Sequence, residues 1–215
     1  MTQLVLQALL ETLYMTLAST AAAYIIGLPL GLLLTVAAAE GIRPNAALYG
    51  VLGGVVNILR SVPFLILLIT VIPLTRLICG TAIGSGATIV PLTVAAFPFV
   101  ARMVESSAKE VDRGVIEASL SMGASPWQVV WKVIVPEAMP SLLTGGAIAI
   151  TTILGYSAMA GICGGGGLGA IAINYGYYRG NTAIMLVMVV ILVAVVQIFQ
   201  MAGTRAARLS DRRIR

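Results

Sequence analysis

The stretch TAIMLVMVVILVAVVQIFQMAG, residues 182–203, decides the fold class, because it carries no charge and is long enough to cross a lipid bilayer as a helix. Its character is shared by the whole chain. Of 215 residues, 59% are hydrophobic and 10% are charged, whereas soluble domains carry about 25% charged residues. The mean hydropathy is +1.02. Because a soluble protein cannot bury this much apolar surface, lipid must solvate it, which excludes a soluble enzyme, a nucleic-acid-binding module and a disordered protein.

Further apolar runs predict an all-α, polytopic membrane protein with about five transmembrane helices in a single domain, 1–215. The predicted spans are 13–39, 61–77, 86–104, 140–160 and 182–203. The apolar residues 46–59 are interpreted as a helix that lies at the membrane interface or dips into it. This arrangement places Arg60 at a span boundary, which costs less than a charge at mid-bilayer.

The distribution of basic residues predicts the orientation of these spans. With the N-terminus outside and the C-terminus inside, eleven of the thirteen Lys and Arg residues fall on the cytoplasmic side, and Arg76 and Arg179 face out. The reverse orientation would invert this ratio against the positive-inside rule. The sequence therefore predicts an N-out, C-in protein.

The cytoplasmic segment 105–137 differs from the other connections, because it holds eight of the chain's twenty-one charges. It is predicted to form two short helices. The first, near 112–122, is amphipathic, with one apolar stripe flanked by further apolar residues. The stripe comprises Val115, Ala118 and Met122, beside Ile116 and Leu120. Gly123 is suited to the left-handed backbone conformation that ends a helix.

A second helix is predicted to begin directly after this turn. Ser125 is the expected N-cap, Pro126 suits the first helical position, and Gln128 completes a capping box. Pro136 is expected to stop the helix. An ordered helix pair in the cytosol must pack on something to offset its loss of entropy. Two interpretations stand: an interfacial loop resting on its own bundle, and a docking surface for a soluble partner.

Residue types alone exclude several kinds of site. The chain has no His, which excludes His-based triads and His-liganded metals, and Cys79 and Cys163 are too few for a cysteine metal cluster. Lys109 and Lys132 follow Ala and Trp, so no Gly-Lys-Ser/Thr phosphate-binding loop exists. We expect no catalytic residue, metal or cofactor. A disulfide between the two cysteines, both at outer ends of spans, is the less favoured alternative to two free thiols.

Glycine patterns leave alternatives open. Gly164-x-Gly166-x-x-Gly169 matches a dinucleotide fingerprint in spacing, but it follows an apolar helix rather than a strand, so nucleotide binding is rejected. The segment 161–169 is either a flexible outer loop or a close-packed glycine turn. Other glycine pairs permit close helix contacts, inside one subunit or between two. These pairs are Gly27–Gly31, Gly50–Gly54 and Gly145–Gly146.

The charged residues of the predicted spans help to distinguish between classes of membrane protein. No Asp, Glu or Lys lies within them, which disfavours a proton-coupled secondary transporter. A structural subunit or anchor would need neither a pore nor a cytosolic helix pair. Five helices are few to enclose a solute pathway, so a pathway at a two-fold interface is physically reasonable. Tyr156, Ser157 and Met159 could line such an aqueous pathway. The alternative for Met159 is packing in the hydrophobic core, which is the usual role of a Met in an apolar helix.

The cytoplasmic segment resembles the EAA loop of ABC importer permeases. Glu117-Ala118-Ser119, then Gly123, then the ending Val133-Ile134-Val135-Pro136 follow that motif, with Ser119 and Val135 where the family has Ala and Leu. The resemblance implies an all-α type I ABC importer permease fold with a cytosolic ATPase as partner. The residues it assigns to the loop that couples the permease to that ATPase are Glu117, Ala118, Ser119, Gly123, Ala124 and Pro136.

The rest of the chain is similar, more specifically, to permease subunits of methionine ABC importers. The similar stretches are NILRSVPF (57–64), IVPLTV (89–94), PFVARMVE (98–105), GYSAM (155–159), GGLG (166–169) and YGY (175–177). The resemblance implies uptake of methionine, D or L, with another small amino acid or similar solute as the alternative. It also implies an inner-membrane location, a second copy of this subunit, two copies of an ATPase that hydrolyses ATP, and an external methionine-binding lipoprotein. The arginine-rich tail, 205–215, is expected to contact anionic membrane lipid or the ATPase.

Overall fold

The computed structural model describes residues 2–211, so Arg212, Arg213 and Arg215 of the basic tail lie outside the described residues. Every regular element within 2–211 is helical, which confirms the all-α prediction. The helices are α1 (Thr2–Ala37), α2 (Ala46–Ser61), α3 (Phe64–Thr70), α4 (Ile72–Cys79), α5 (Ser85–Lys109), α6 (Arg113–Ser121), α7 (Pro126–Val129), α8 (Val135–Glu137), α9 (Met139–Ala160), α10 (Gly167–Ile171) and α11 (Thr182–Ser210). Short π-helical turns lie at Val130–Ile134 and Ala172–Tyr177, and a 3-10 turn lies at Gly161–Cys163.

Within the described part of the chain, four helices are long and apolar enough to cross a membrane. They are α1, α5, α9 with its following 3-10 turn, and α11. The broken pair of α2 and α3 raises the number to five if it forms one span. These helices agree with the predicted multi-pass membrane protein. Several extend beyond the apolar runs, since α1 begins at Thr2 rather than near residue 13.

The second predicted span, 61–77, is where the sequence prediction is wrong in detail. These residues do not form one helix, because the chain leaves α2 and then forms α3 and α4 as two short helices. Proline explains both breaks: Pro63 precedes α3 and Pro73 lies in the first turn of α4, and neither can donate a backbone hydrogen bond. The separate helix predicted for 46–59 is present as α2, with Arg60 in its last turn.

One compact unit combines the N-terminal parts of α1 and α5 with α3, α4, most of α9, α10 and most of α11. Part of its core is formed where α1, α10 and α11 meet. The buried residues there are Ala8, Leu168, Ile171 and Met188. Burial of these apolar side chains against one another fixes the short helix α10 in place.

Two side chains of α1 also cap α10. Glu11 Oε2 accepts a hydrogen bond from Gly167 N, and Thr12 Oγ1 accepts one from Leu168 N, each at 2.9 Å. The first amides of a helix have no partner within the helix, so these bonds satisfy groups that would otherwise be left unpaired. Glu11 and Thr12 therefore have a structural role at the start of α10.

The glycine-rich segment between α9 and α10 is a close-packed turn rather than a flexible loop. Left-handed φ values, which favour glycine, occur at three of its positions. They are 85° at Gly164, 79° at Gly166 and 76° at Gly167. A Cβ on Gly169 would overlap the backbone of Ala158 in α9. The segment therefore holds α9 and α10 in close contact.

A second compact unit combines the C-terminal parts of α1, α5 and α11 with α2, α6, α7, α8 and the start of α9. Here α1 packs closely on α5, because a Cβ on Gly31 would lie 2.7 Å from Val104 Cβ. A Cβ on Gly145 would likewise lie 2.8 Å from Met103 Sδ. These glycines therefore serve packing inside the subunit. The pair Gly50–Gly54, in contrast, has no atom of the described residues within 4 Å of either Cβ position.

The eleven-to-two basic asymmetry predicts the side that each connection faces, and cysteine labelling tests it. In a chain with Cys79 and Cys163 replaced by serine, Gly114→Cys is expected to be protected from an impermeant thiol reagent in intact cells. Asn181→Cys is expected to react. Both positions are exposed, so burial does not decide the outcome. Reaction of both after permeabilisation is the control, and the opposite pattern in intact cells would overturn the N-out, C-in orientation.

Candidate functional site

The predicted cytoplasmic helix pair is present in the second unit. Its first helix, α6, spans Arg113–Ser121, within the predicted 112–122. Asp112 is the N-cap, and its Oδ1 accepts a hydrogen bond from Gly114 N at 2.7 Å. A carboxylate at this position also interacts favourably with the helix dipole. The first helix therefore starts where local capping chemistry places it.

The turn after α6 depends on Gly123, as predicted. Its φ of 85° is left-handed. Ala124 N donates to Ser119 O at 3.2 Å and Gly123 N donates to Leu120 O at 2.9 Å, the two bonds of a Schellman motif. No atom lies within 4 Å of the position that a Cβ on Gly123 would take. Backbone conformation, rather than space, is therefore what favours glycine there.

The predicted capping box at the start of the second helix is confirmed. Ser125 N donates to Gln128 Oε1 at 2.8 Å, and Gln128 N donates to Ser125 Oγ at 3.3 Å. Pro126 occupies the first helical position of α7. The Schellman motif and the capping box together define the angle between the two helices across a connection of four residues, 122–125.

Pro136 does not stop the second helix, contrary to the prediction. The chain passes from α7 through the π-helical turn Val130–Ile134 into α8, which contains Pro136, and α9 begins directly afterwards at Met139. A widened π turn absorbs the missing hydrogen bond and the bulk of the proline ring. The second helix of the pair is thus almost continuous with α9.

The apolar stripe of α6 faces away from its own unit. Val115 is 44% exposed and Met122 82% exposed, and Ala118 between them is exposed as well. Glu117 is also exposed. Ser119 lies next to the stripe, one turn after Val115, at the edge of the buried face; it is buried and its hydroxyl donates to Val115 O at 2.7 Å. The helix therefore packs against its own unit with Ser119, while the apolar side chains of the stripe are left uncovered.

The second helix adds two exposed tryptophans. Trp127 is 70% exposed and Trp131 41% exposed, and their rings meet edge to face with centroids 5.4 Å apart. Val129, Val130 and Ile134 are buried on the opposite face. The helix pair thus rests on its own unit with one face and presents an apolar face on the other. Large exposed apolar residues grouped in this way are typical of a protein-binding surface.

A cavity of about 350 Å³ lies behind α6. Its lining comes from the end of α1, the loop after it, the end of α5 and the inner face of α6, with Ile116 and Leu120 among the apolar residues. One ion pair crosses its rim, from Arg113 to Glu40 at 2.8 Å. Both side chains are more than half exposed, and such pairs contribute only about 0–1 kcal/mol. This ion pair therefore contributes little to holding α6 in place.

The three predicted pathway residues do not form one surface. Tyr156 is partly buried and stacks on Phe64, with ring centroids 4.5 Å apart. Met159 is 42% exposed. Ser157 is 1% exposed and its hydroxyl donates to Leu154 O at 2.8 Å, so it is packed inside the subunit rather than presented to a pathway. Lining of a pathway by Tyr156 and Met159 stays a prediction.

Sequence reasoning missed a group of charged and polar side chains between α2 and α5. This α2–α5 cluster comprises Tyr49, Asn57, Arg102, Glu105 and Lys109. Two signals in the sequence could have found it. The charges recur at helical spacing at the end of an apolar helix, and the polar residues of α2 recur at a similar spacing.

The membership of the chain is decided by a match to a protein-family model. The model for the binding-protein-dependent transport system inner membrane component matches residues 27–215. The chain belongs to this family. It is therefore a membrane-embedded permease component of a transport system.

Similar proteins and structures are known over nearly the whole length. The chain is 50% identical over 210 residues to the "Probable D-methionine transport system permease protein MetI" of Vibrio cholerae, covering 98% of this chain and 93% of that one. It is 51% identical over 158 residues to the D-methionine transport system permease protein MetI of Escherichia coli strain K12, covering 74% and 73%. Among solved structures, a chain of the MetNI methionine ABC transporter in inward facing conformations matches with a TM-score of 0.97 at 48% identity, covering 99% and 98%.

Proposed function

We propose that this chain is the permease subunit of an ATP-driven ABC importer for methionine, and that two copies form the translocation pathway. The observation that carries the proposal is the likeness to the methionine transporter chain, at 48% identity over 99% of this chain. The fold extends to more distant transporters, since a chain of an amino acid ABC transporter matches with a TM-score of 0.68 at 22% identity. That distant likeness concerns the fold alone.

The subunit does not hydrolyse ATP itself in this proposal. Neither Lys109 nor Lys132 stands in a phosphate-binding sequence. Energy enters through two copies of a separate cytosolic ATPase, and methionine arrives from an external binding protein. The chain's own task is to change which side of the membrane its pathway opens to, by alternating access.

The helix pair α6–α7 is the surface to which the ATPase binds. Val115, Met122 and Trp127 offer apolar area, and Ala118 keeps the centre of α6 slim enough to enter a cleft. Glu117 is exposed and can accept hydrogen bonds from donors on the partner. These features match what a protein interface needs: exposed apolar and aromatic anchors with polar groups beside them.

The remaining residues of the motif shape this surface rather than touch the partner. Ser119 and Ala124 supply the two ends of one backbone hydrogen bond in the turn, and Gly123 supplies its left-handed conformation. Pro136 lies where the helix pair continues into α9. When the ATPases close, they pull the two helix pairs together, and the near-continuous helix carries this movement into the membrane.

Loss of the chain tests the cargo. Cells that lack other methionine uptake are expected to lose high-affinity methionine import when the gene for this chain is deleted, and to regain it when the chain is supplied again. Import of radiolabelled D- and L-methionine at low concentration is the measurement. Normal methionine import with loss of another amino acid's uptake would keep the importer and overturn the cargo. Failure of the chain to co-purify with an ATPase would overturn the importer itself.

A further inference from the structure

The α2–α5 cluster is centred on a buried carboxylate. Glu105 is 3% exposed and receives three hydrogen bonds. Arg102 Nη1 donates to its Oε2 at 2.6 Å, and Lys109 Nζ and Tyr49 OH donate to its Oε1 at 2.7 and 2.9 Å. The buried carboxylate is thus neutralised by two cations that reach it from the surface, since the side chain of Arg102 is 19% exposed and that of Lys109 50% exposed. Removing one member of such a group leaves a buried charge uncompensated, which is costly.

The cluster extends from α5 to α2 through the arginine. Arg102 Nη2 donates to Gly53 O at 2.9 Å and to Asn57 Oδ1 at 3.0 Å. A Cβ on Gly53 would lie 3.1 Å from this nitrogen, so the glycine allows the guanidinium to reach the backbone of α2. The planar guanidinium makes these bonds in fixed directions, which a lysine could not reproduce.

The residues involved form two facing stripes. On α5 they recur at i, i+3 and i+7, and on α2 they recur at i, i+4 and i+8, so each set lies on one face of its helix. The stripes are Arg102, Glu105 and Lys109 on one side, and Tyr49, Gly53 and Asn57 on the other. Contact therefore runs along about two turns of each helix, which resists both sliding and rotation.

The position of the cluster relates it to the ATPase-binding surface. Lys109 is the last residue of α5, and Asp112, the cap of α6, follows after a short link. Only residues 110 and 111 therefore separate the cluster from the cap of α6 along the chain. The pair of Arg113 and Glu40 is more than half exposed and contributes little to stability, whereas α2 is joined to α5 by bonds to the buried Glu105 and the partly exposed Arg102.

We propose that Arg102 and Glu105 are positioning residues that make α2 move as one body with the cytoplasmic end of α5 during the transport cycle. The proposal rests on the function proposed above. In it, the cluster transmits the movement of α6 to α2 through the hydrogen bonds that join α2 to α5. A merely stabilising cluster would lower the amount of folded complex when broken, without changing what each complex does.

Coupling between ATP hydrolysis and transport is the first test. Glu105→Gln, measured in proteoliposomes containing the assembled complex, is expected to lower methionine transported per ATP hydrolysed about tenfold, since a lost hydrogen bond to a charged group corresponds to a factor of this order. Asn57→Leu is expected to lower the ratio by a smaller factor, because the bond from Arg102 to Asn57 is exposed. Glu110→Gln is the matched control, because Glu110 is exposed beyond the end of α5. Asn57→Leu leaves the ion pairs of Glu105 with Arg102 and Lys109 intact. It therefore tests the proposal on its own if the complex with Glu105→Gln does not assemble. A wild-type ratio in the assembled variants would overturn the proposal.

A distance measurement tests the same proposal without reference to the transported solute. Spin labels are attached to Val51→Cys on α2 and Ser106→Cys on α5, two exposed positions, after replacement of Cys79 and Cys163 by serine. Labelled subunits are diluted with unlabelled ones in complexes with the ATPase. The distance is expected to be the same without nucleotide and with trapped ATP, and to differ between these states in Glu105→Gln. A wild-type distance that changes with nucleotide would overturn the proposal, even where methionine uptake supports the function.

Discussion

Replacing Gly169 with alanine is expected to cost about 1–3 kcal/mol of stability, because the turn between α9 and α10 has no room for one more methyl group. A Cβ at this position would overlap the carbonyl oxygen of Ala158 and lie 2.6 Å from its Cα. Both are backbone atoms, so no side chain can rotate to make space. The change should lower the melting temperature of the purified subunit by about 2–4 °C for each kcal/mol lost.

The matched control for this substitution is Gly155→Ala, which adds the same methyl group to a glycine of α9. No atom lies within 4 Å of the position that a Cβ on Gly155 would take. Alanine is favoured over glycine in a helix by about 1 kcal/mol, so the control should melt at the same temperature or higher. An unchanged melting temperature for Gly169→Ala would show that the turn yields easily, and it would favour the flexible-loop interpretation over the packed turn.

The parts of the fold that could be predicted are those set by local chemistry. Composition alone indicates a membrane protein, because lipid acts on each apolar segment separately. The orientation that the distribution of basic residues indicates stays a prediction. The capping box at Ser125 and Gln128 and the left-handed Gly123 are equally local, since all their partners lie within five residues. Each of these features needs only its neighbours in sequence to form.

The errors arose where proline acts together with its surroundings. Pro136 was expected to end a helix, but a π turn before it absorbs the missing bond. Pro63 and Pro73, in contrast, do interrupt the second predicted span and divide it into α3 and α4. Whether a proline ends a helix, kinks it or is accommodated by a π turn depends on how the adjacent turns pack, and this packing cannot be read from the sequence.

The site was predicted only as far as its local geometry. The exposed stripe of α6 follows from helical spacing, but its outward direction depends on what the opposite face contacts. The α2–α5 cluster was missed because its partners are distant in sequence: Tyr49 lies 56 residues from Glu105. Ser157 was expected at a pathway, yet its side chain is buried, since the direction of a residue in an apolar membrane helix depends on neighbouring helices.

Replacing Gly123 with valine is expected to uncouple the transporter without preventing its assembly in the membrane. The φ of 85° at this position is strained for a β-branched residue, at a cost of about 1–2 kcal/mol. The backbone would leave the left-handed region, and the bonds from Gly123 N and Ala124 N that close the turn would be lost. The angle between α6 and α7 would then change, so Met122 and Trp127 could no longer meet one ATPase surface together.

A graded series at this position separates a backbone effect from other causes. No atom lies within 4 Å of the Cβ position, so side-chain size alone should have no effect there. Asparagine tolerates the left-handed region, alanine does so less well, and valine least. Activity of the assembled complex should therefore fall in the order Gly, Asn, Ala, Val, although Asn is larger than Ala.

Methionine uptake and ATP hydrolysis in proteoliposomes, normalised to assembled complex, measure this series. For Gly123→Val we expect weaker ATPase binding, or hydrolysis that continues while uptake falls about tenfold, since a change of about 1.4 kcal/mol corresponds to a factor of ten. The membrane helices are not touched by the substitution, so insertion and dimer formation should be unchanged. If the glycine only ends a helix, stability would drop slightly while uptake per complex stayed at the wild-type value. That result would show that the helix pair is not the element that links ATP hydrolysis to transport.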